Sequence, residues 1–211
     1  MPKATRSAQE VGSVCDQIFN CAFDIIAEHG YESLSMSKIG KKMKMTAANL
    51  YNYYGNKDEL LIAIHKKAFE MLYDKLLSAL DSADTPLDRC KSLIYAYVEF
   101  GVNNINLYDI MFNRHIKQYS DYIGTPQEQM SYNEYHSSLR ALYLTLDVIR
   151  DYRNSRQDLK PADPKNLAIY GISALHGIIS LYNSGSLATI ADDQENSMKT
   201  FIDNLIHSVI D

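Results

Sequence analysis

The chain of 211 residues is poor in the residues that make turns, with nine glycines and five prolines. So few turn-forming residues argue against an all-β fold, because each connection between strands needs a turn. The sequence also lacks an apolar run of about 18 residues, the length that a membrane-spanning helix requires. The first residues, MPKATRSAQEV, have no apolar core of a signal peptide, so we expect a cytoplasmic protein.

Cysteine is scarce as well. Cys15, Cys21 and Cys90 are odd in number, and no two of them have CxxC spacing. This pattern fits a reducing compartment, so we predict that all three are small buried hydrophobic residues. The alternative is that one of them is a redox-sensing thiol.

The sequence lacks the motifs by which common enzymes hold metals, phosphates or nucleophiles. Its six histidines are scattered, and none lies in an HExxH motif or beside a cysteine at zinc-ligand spacing. The GxSxG, P-loop and GxGxxG patterns do not occur. We therefore expect no enzyme, no metal site and no cofactor.

What the sequence does contain is a basic segment near its N-terminus. Five lysines and no acidic residue lie between positions 36 and 57; the lysines are Lys38, Lys41, Lys42, Lys44 and Lys57. Residues 1–57 carry a net charge of +2, whereas residues 58–211 carry −7 of a total of −5. The basic segment therefore suits a phosphate surface, although a solvated helix face would also explain a run of lysines.

The basic segment has the pattern of two short helices joined by a tight turn at Lys44 and Met45. Ser35 and Thr46 are each placed to cap the N-terminus of a helix. Apolar spacing then predicts two inward faces. These faces consist of Met36, Ile39, Gly40 and Met43 in the first helix, and of Ala47, Leu50, Tyr51 and Tyr54 in the second.

The outward face of the second helix carries Ala48, Asn49 and Asn52, with Tyr53 at its edge. Asparagine can pair bidentately with adenine, and alanine can contact a thymine methyl group. Tyrosine hydroxyls, a threonine cap and a lysine at the start of the next helix suit contacts with phosphate. We therefore predict a DNA interface made of Ser35, Lys44, Thr46, Ala47, Ala48, Asn49, Tyr51, Asn52, Tyr53 and Lys57.

Residues 18 to roughly 64 resemble the helix-turn-helix of the TetR family of bacterial transcriptional regulators. The matching residues are Glu28-His29-Gly30-Tyr31, Ser33, Met36, Ile39, Met45-Thr46, Leu50-Tyr51, Tyr53-Tyr54 and Asn56-Lys57-Asp58-Glu59-Leu60-Leu61. The chain departs from the family at Gly40, Lys44 and Ala48, where Ala, Gly and Gly are frequent. The resemblance implies a repressor that binds an operator in double-stranded DNA and answers to a small-molecule effector. The alternative is a helical adaptor or small-molecule-binding protein without specific DNA binding.

The rest of the chain is also predicted to be helical, so we expect an all-α fold. Residues 1–57 would form a three-helix DNA-binding domain, and residues 58–211 a helical regulatory and dimerisation domain. Apolar spacing predicts helices over residues 7–29, 57–80, 87–102, 107–113, 127–153, 165–183 and 194–210. Residues 119–126 are predicted to be a loop, and residues 154–164 a polar break.

The last two helices carry more apolar surface than one chain needs to bury. Pairing them with their copies across a two-fold axis would cover the surplus. TetR-like proteins dimerise through their last helices, so the resemblance also implies a homodimer. The predicted interface residues are Ile172, Leu175, Ile179, Phe201, Ile202, Leu205 and Val209.

Residues 170–177, YGISALHG, and residues 107–112, LYDIMF, resemble a His-Gly class of C-terminal domain within the same family. A domain of this kind should hold a pocket between its helices. The candidate ligand-binding residues are Tyr95, Phe100, Met111, Phe112, His115, Tyr143, Tyr170 and His176. Ordinary core packing is the alternative for each of them. The sequence leaves open whether the ligand is flat, cationic or aliphatic.

Overall fold

The structure is a computed structural model that describes residues 7–114, 116–159 and 161–210. These residues form ten α-helices and two short 3-10 turns, with no strand among them, which confirms the all-α fold. The helices are α1 (Ala8–His29), α2 (Met36–Met43), α3 (Ala47–Leu50), α4 (Lys57–Ala79), α5 (Pro86–Asn103), α6 (Ile105–Phe112), α7 (Tyr119–Tyr122), α8 (Glu128–Asn154), α9 (Pro164–Asn183) and α10 (Gln194–Ile210). Within the described ranges, no helix is both long enough and apolar enough to cross a lipid bilayer.

The predicted helices are confirmed to within two residues at each end, and two local predictions are corrected. Residues 119–126, predicted as a loop, contain the single turn α7. This turn forms because the Gln118 amide donates a hydrogen bond to Asp121 Oδ2 at 2.8 Å, which satisfies a donor at its start. The second helix of the helix-turn-helix is only four residues long. After Leu50 the chain continues in tight turns, in which the Tyr53 amide donates to the Leu50 oxygen at 2.9 Å.

The chain divides into two compact units. The first comprises Met1–Ala68 and Asn106–Ser137, and the second comprises Phe69–Ile105 and Ser138–Asp211. The first unit is thus larger than the DNA-binding domain predicted over residues 1–57. It is larger because polar contacts join the later segment to α1 and α4: Asn106 Nδ2 donates to the Ala27 oxygen at 2.8 Å, and His65 Nδ1 lies 2.6 Å from Glu134 Oε1.

The core of the first unit is aliphatic. Ser7 caps the start of α1 and exchanges hydrogen bonds with Glu10, and Gly30 caps its C-terminus with a φ of 77° that is costly for other residues. Between these ends, α1 buries one apolar face. The largest fully buried side chains of this unit are Ile18, Ile25, Ile26, Ile39, Leu50, Leu60, Ile64, Tyr108 and Ile110. This packing fixes α2 and α3 against α1, because α1, α2 and α3 each contribute to it.

The second unit is built from α5, α9, α10, most of α8 and the C-terminal part of α4. Thr85 caps α5 by accepting from the Asp88 amide at 3.1 Å, and Asp163 caps α9 by accepting from the Lys165 amide at 3.0 Å. A proline follows each cap, where its missing N–H is not needed. These caps define the helix starts that frame the cavity described below.

Candidate nucleic-acid interface and apolar cavity

Both predicted helix caps in the basic segment are confirmed. Ser35 Oγ accepts a hydrogen bond from the Lys38 amide at 3.1 Å, and Thr46 Oγ1 accepts one from the Asn49 amide at 3.2 Å. These bonds satisfy amides that the first turn of each helix leaves without a partner. The sequence therefore fixes locally where α2 and α3 begin.

The turn between α2 and α3 depends on a close approach of two backbone segments. Lys44 has φ 55° and ψ 37°, and in the part of the chain that the structure describes it is the one non-glycine residue with positive φ. The Met45 amide donates to the Gly40 oxygen at 2.8 Å. A Cβ on Gly40 would lie 2.5 Å from the Met45 oxygen, which is shorter than real contacts allow. A side chain at position 40 would therefore force the backbone of this turn to shift.

The outward face of α3 is accessible. Ala48 and Asn52 are exposed and Asn49 is half-buried, and Asn52 Nδ2 donates to Asn49 Oδ1 at 3.3 Å. Tyr51 was predicted to face inward, and this is wrong because its side chain is 49% exposed. The sequence placed Tyr51 by helical spacing, but α3 ends at Leu50, so that spacing no longer applies at position 51. Its exposed hydroxyl suits a phosphate contact better than the core.

The segment after α3 is anchored to α1. Tyr54 Oη donates to the Cys15 oxygen at 3.4 Å, and Cys15 Sγ lies 3.9 Å from the Tyr53 oxygen. Burial raises the pKa of Tyr54 to about 12, so its hydroxyl stays protonated as a donor at neutral pH. Cys15 is half-buried, which corrects the prediction of full burial, whereas Cys21 and Cys90 are buried as predicted. Burial also raises the pKa of all three thiols, which disfavours a reactive thiolate.

Contacts at the start of α4 restrict the side chain of Lys57, the last lysine of the basic segment. Asn56 Oδ1 accepts from the Glu59 amide at 2.9 Å, and Glu59 Oε2 accepts from the Gly55 amide at 2.8 Å. Lys57 Nζ lies 4.8 Å from the centroid of the Tyr31 ring, within the range of a cation–π contact. The Lys57 side chain is therefore held at the first turn of α4 instead of extending freely.

The fold gathers the residues predicted to bind DNA into one region of the first unit. Ser35, Lys44, Thr46, Ala48, Tyr51 and Asn52 are exposed, and Ala47, Asn49, Tyr53 and Lys57 are half-buried. Lys38, Lys41 and Lys42 on α2 are exposed as well. Exposed amide and small side chains flanked by lysines can contact base edges and phosphates together.

The second unit contains a largely apolar cavity between α5, α8, α9 and α10. The cavity has a volume of about 70 Å³ and opens to solvent at its mouth. Most of its wall is aliphatic or aromatic; the lining residues are Cys90, Leu93, Ile94, Tyr97, Thr145, Val148, Ile149, Tyr152, Arg153, Leu167, Ala168, Gly171, Ile172, Leu175 and Leu205. A cavity of this kind suits a ligand with a substantial apolar part.

None of the described residues that the sequence predicted to bind a ligand lines this cavity, and their role in ligand binding stays a prediction. Tyr95, Tyr143 and Tyr170 are exposed, Phe100 and Met111 are buried in the core, and Phe112 and His176 are half-buried, while His115 lies outside the described residues. Helical spacing shows which residues share a face, but it does not show which faces enclose a space. Arg153 and Thr145 were missed because a polar residue near an apolar helix face gives no distinct signal.

The predicted dimer residues differ in their exposure, and their place at an interface stays a prediction. Leu175, Ile179, Ile202 and Leu205 are at most 5% exposed and belong to the core of their own chain, Ile172 lines the cavity, Phe201 is half-buried, and the side chain of Val209 lies outside the described residues. The exposed apolar side chains of α9 are instead Ile169, Tyr170 and Leu181. Gly177 lies between them along α9 and has open space around it. Helix periodicity could not tell these two faces of α9 apart, because both are apolar.

Two family descriptions match the chain. "Bacterial regulatory proteins, tetR family" matches residues 18–64, and "Tetracyclin repressor-like, C-terminal domain" matches residues 90–205. The first match covers α2, α3 and the start of α4. The second covers all the residues named above as lining the cavity.

Individual relatives are distant. The chain is 25% identical over 91 residues to the fatty acid metabolism regulator protein of Bacillus subtilis, a match that covers 43% of this chain and 47% of that protein, less than half its length. It is 23% identical over 194 residues to IcaR, the negative transcriptional regulator of the biofilm operon icaADBC in Staphylococcus epidermidis, covering 91% and 96% of the two chains. The fold is shared with the solved structure of the transcriptional regulator FadR from Bacillus subtilis in complex with stearoyl-CoA, with a TM-score of 0.65, 15% identity, and coverage of 92% and 97%.

Proposed function

Because the chain belongs to the tetR family of bacterial regulatory proteins, which are transcriptional regulators, we propose that it is a repressor. In this proposal a homodimer binds a palindromic operator, and a small-molecule effector releases the homodimer from the DNA. The observation that carries the proposal is the exposure of Ala48 on α3 and of Asn52 just after it, in the same helix-turn-helix as the exposed lysines of α2. The full-length similarity to IcaR, a negative regulator, favours repression over activation.

Base reading is assigned to α3 and phosphate contacts to its surroundings. Asn49 and Asn52 supply amides for base edges in the major groove, and Ala48 supplies a methyl group. Tyr51, Lys44 and the lysines of α2 contact the phosphates on either side. The capped starts of α2 and α3 add amide groups that favour nearby negative charge.

A dimer is needed because one recognition helix reads only a few base pairs. Two-fold symmetry places two such helices one turn of DNA apart, about 34–36 Å. The exposed apolar face of α9, with Ile169, Tyr170 and Leu181, supplies a surface for pairing with a second copy. Gly177 on the same helix permits a close approach of two backbones, because a side chain is absent there.

The effector site is the apolar cavity of the second unit. A structure of the same fold, FadR of Bacillus subtilis, was solved with stearoyl-CoA, which supports ligand binding by a helical domain of this kind. Two helices provide continuous backbone from one unit to the other. α4 passes from the first unit to the second after Ala68, and α8 does so after Ser137. A coupling free energy of about 1–3 kcal/mol between effector binding and DNA binding, carried by these two helices, suffices for a switch. By linkage, DNA must weaken effector binding as much as the effector weakens DNA binding.

The proposal is tested by selecting bound duplexes from a random pool with the full chain. We expect an inverted repeat, bound by two chains, with an affinity that falls steeply as salt rises. Affinity for random DNA should be at least 1,000-fold lower at physiological salt, about the lower limit for specific binding. Recovery of no preferred sequence, or a repeat bound by one chain only, would contradict the proposal.

A further inference from the structure

We propose that the cavity of the second unit takes a short, uncharged aliphatic group of the effector, and that Gly171 is the residue that leaves room for this group. The inference rests on the proposed function, because it names the chemical class of the effector and a residue that limits its size. Three observations support it: the partners of the polar groups in the wall, the volume of the cavity and the surroundings of Gly171.

The polar groups in the cavity wall already have partners within the chain. Cys90 Sγ lies 3.9 Å from a backbone oxygen of α8, and Thr145 Oγ1 donates a hydrogen bond to a backbone oxygen one turn earlier at 2.9 Å. The Tyr152 hydroxyl oxygen accepts a hydrogen bond from Arg156 Nη1 at 3.1 Å, and Tyr97 has a contact of its own. A polar ligand group would give up its hydrogen bonds with water and find these groups engaged, which costs free energy.

The charges around the cavity do not select a charged ligand either. Among the described residues that line it, Arg153 alone carries a formal charge, and this side chain is half-exposed and has an interaction of its own. An anion would therefore compete with a guanidinium that is already paired or solvated. A cation would find no carboxylate among the lining residues. Because a charge in an apolar cavity is costly unless it is paired, an uncharged group is favoured.

The volume of the cavity limits the size of this group. An apolar cavity of about 150 Å³ in another protein stays dry and binds benzene or xenon. The present cavity, at about 70 Å³, has less than half of that volume. It therefore has room for a branch of about three or four carbons. Any larger part of the effector would extend through the open mouth.

Gly171 lies in the interior of α9, where glycine is unfavourable and needs a reason. Its φ is not positive, so the backbone conformation does not call for glycine. A Cβ on Gly171 would meet nothing within 4 Å, in contrast to Gly40, so close packing does not call for glycine either. Gly171 does line the cavity, and its missing side chain leaves space there.

Three compact probes that share an isopropyl group test the ligand class: 2-methylpropane, 2-methylpropanoate and propan-2-ylammonium. Because the isopropyl group is compact, a charge attached to it enters the cavity with it. We expect 2-methylpropane to shift the methyl NMR signals of the lining residues in a saturable way. The two charged probes should bind at least tenfold more weakly, since neither finds an open partner in the wall.

Substitutions at Gly171 test the room in the wall. Gly171→Leu should lower the affinity for 2-methylpropane at least tenfold by filling the cavity, and Gly171→Ala should have a smaller effect. Gly171→Ala should also raise the midpoint of urea unfolding, because alanine favours the helix and its Cβ meets no atom. Such a result would separate lost binding from lost folding.

Gly12→Leu is the matched control. Gly12 also lies in a helix, α1, with nothing within 4 Å of its Cβ, but it is exposed and does not line the cavity. This variant should bind 2-methylpropane as the parent does. The same affinity in Gly171→Leu and Gly12→Leu would overturn the role of Gly171.

The ligand class is overturned if 2-methylpropane does not bind the parent, or if either charged probe binds as tightly. Operator DNA is titrated separately with the parent. A parent that binds no operator contradicts the proposed function, while binding of 2-methylpropane that depends on Gly171 still supports the cavity assignment. Operator binding without binding of 2-methylpropane has the opposite meaning, since the DNA-binding function stands and the ligand class is wrong.

Discussion

Gly40 and Met45 approach each other so closely that a side chain at position 40 has no room. The Met45 amide donates to the Gly40 oxygen at 2.8 Å, and a Cβ on Gly40 would lie 2.5 Å from the Met45 oxygen. The obstructing atom belongs to the backbone, so it cannot move away by changing a rotamer. The turn between α2 and α3 therefore sets the residue at position 40.

The first prediction follows from this contact. Gly40→Ala should lower the free energy of unfolding by about 1–3 kcal/mol, because overpacking outweighs the better helix propensity of alanine. Gly40→Leu should lower it further and weaken DNA binding by displacing α3. Gly12→Ala on α1 is the control, since nothing lies within 4 Å of its Cβ, and it should raise stability by up to about 1 kcal/mol. Urea unfolding of the three variants checks this, and unchanged stability in Gly40→Ala would refute the contact.

The second prediction concerns the left-handed conformation of Lys44. Lys44→Gly should raise the free energy of unfolding by about 1 kcal/mol, because glycine adopts φ 55° without the steric cost of a Cβ. Lys44→Gln removes the same charge but keeps the Cβ, so it should not stabilise the chain. Both variants should weaken DNA binding to the same degree. A stability gain shared by both would instead indicate relief of charge repulsion.

The third prediction separates base reading from phosphate contact. Asn52→Ala should change the preferred base at one position of each half-site, at a cost of about 1–3 kcal/mol for the parent sequence. Lys57→Ala should weaken binding to all sequences alike and reduce the slope of affinity against salt by about one. Asn49→Ala should resemble Asn52→Ala, because the two amides are hydrogen-bonded to each other. Sequence selection repeated with each variant checks this, and a uniform loss with Asn52→Ala would remove its role in readout.

The fourth prediction is an alkaline transition that depends on Tyr54. Burial raises the pKa of Tyr54 to about 12 from an ordinary value of 10, so the folded state favours the protonated hydroxyl. The stability contribution is complete below pH 10 and is lost as the pH rises from 10 to about 12. In Tyr54→Phe this part of the pH dependence should disappear. Absorbance of tyrosinate during titration should show one late-titrating tyrosine fewer in the variant, with Tyr122, whose pKa is also raised to about 12, remaining in both.

The fifth prediction tests the exposed face of α9. Tyr170→Glu should shift the dimer towards monomer, because it places a charge in an apolar surface that must be buried on pairing. Tyr143→Glu is the matched control, since Tyr143 is equally exposed, at 55% against 54%, but lies on α8. Sedimentation equilibrium at micromolar concentration distinguishes the two. A dimer that survives Tyr170→Glu and dissociates with Tyr143→Glu would move the interface to α8.

The sequence by itself determined the helices and the local geometry of the DNA-binding segment. Caps such as Ser35 and Thr46 act within three residues, and apolar spacing repeats along each helix, so both are visible in a short window of sequence. Only the tertiary structure decided which faces enclose the cavity. Leu175 and Tyr170 are both apolar residues of α9, yet one lines a cavity and the other faces outward. That difference depends on which neighbouring helix packs on each face, a long-range choice that periodicity does not encode.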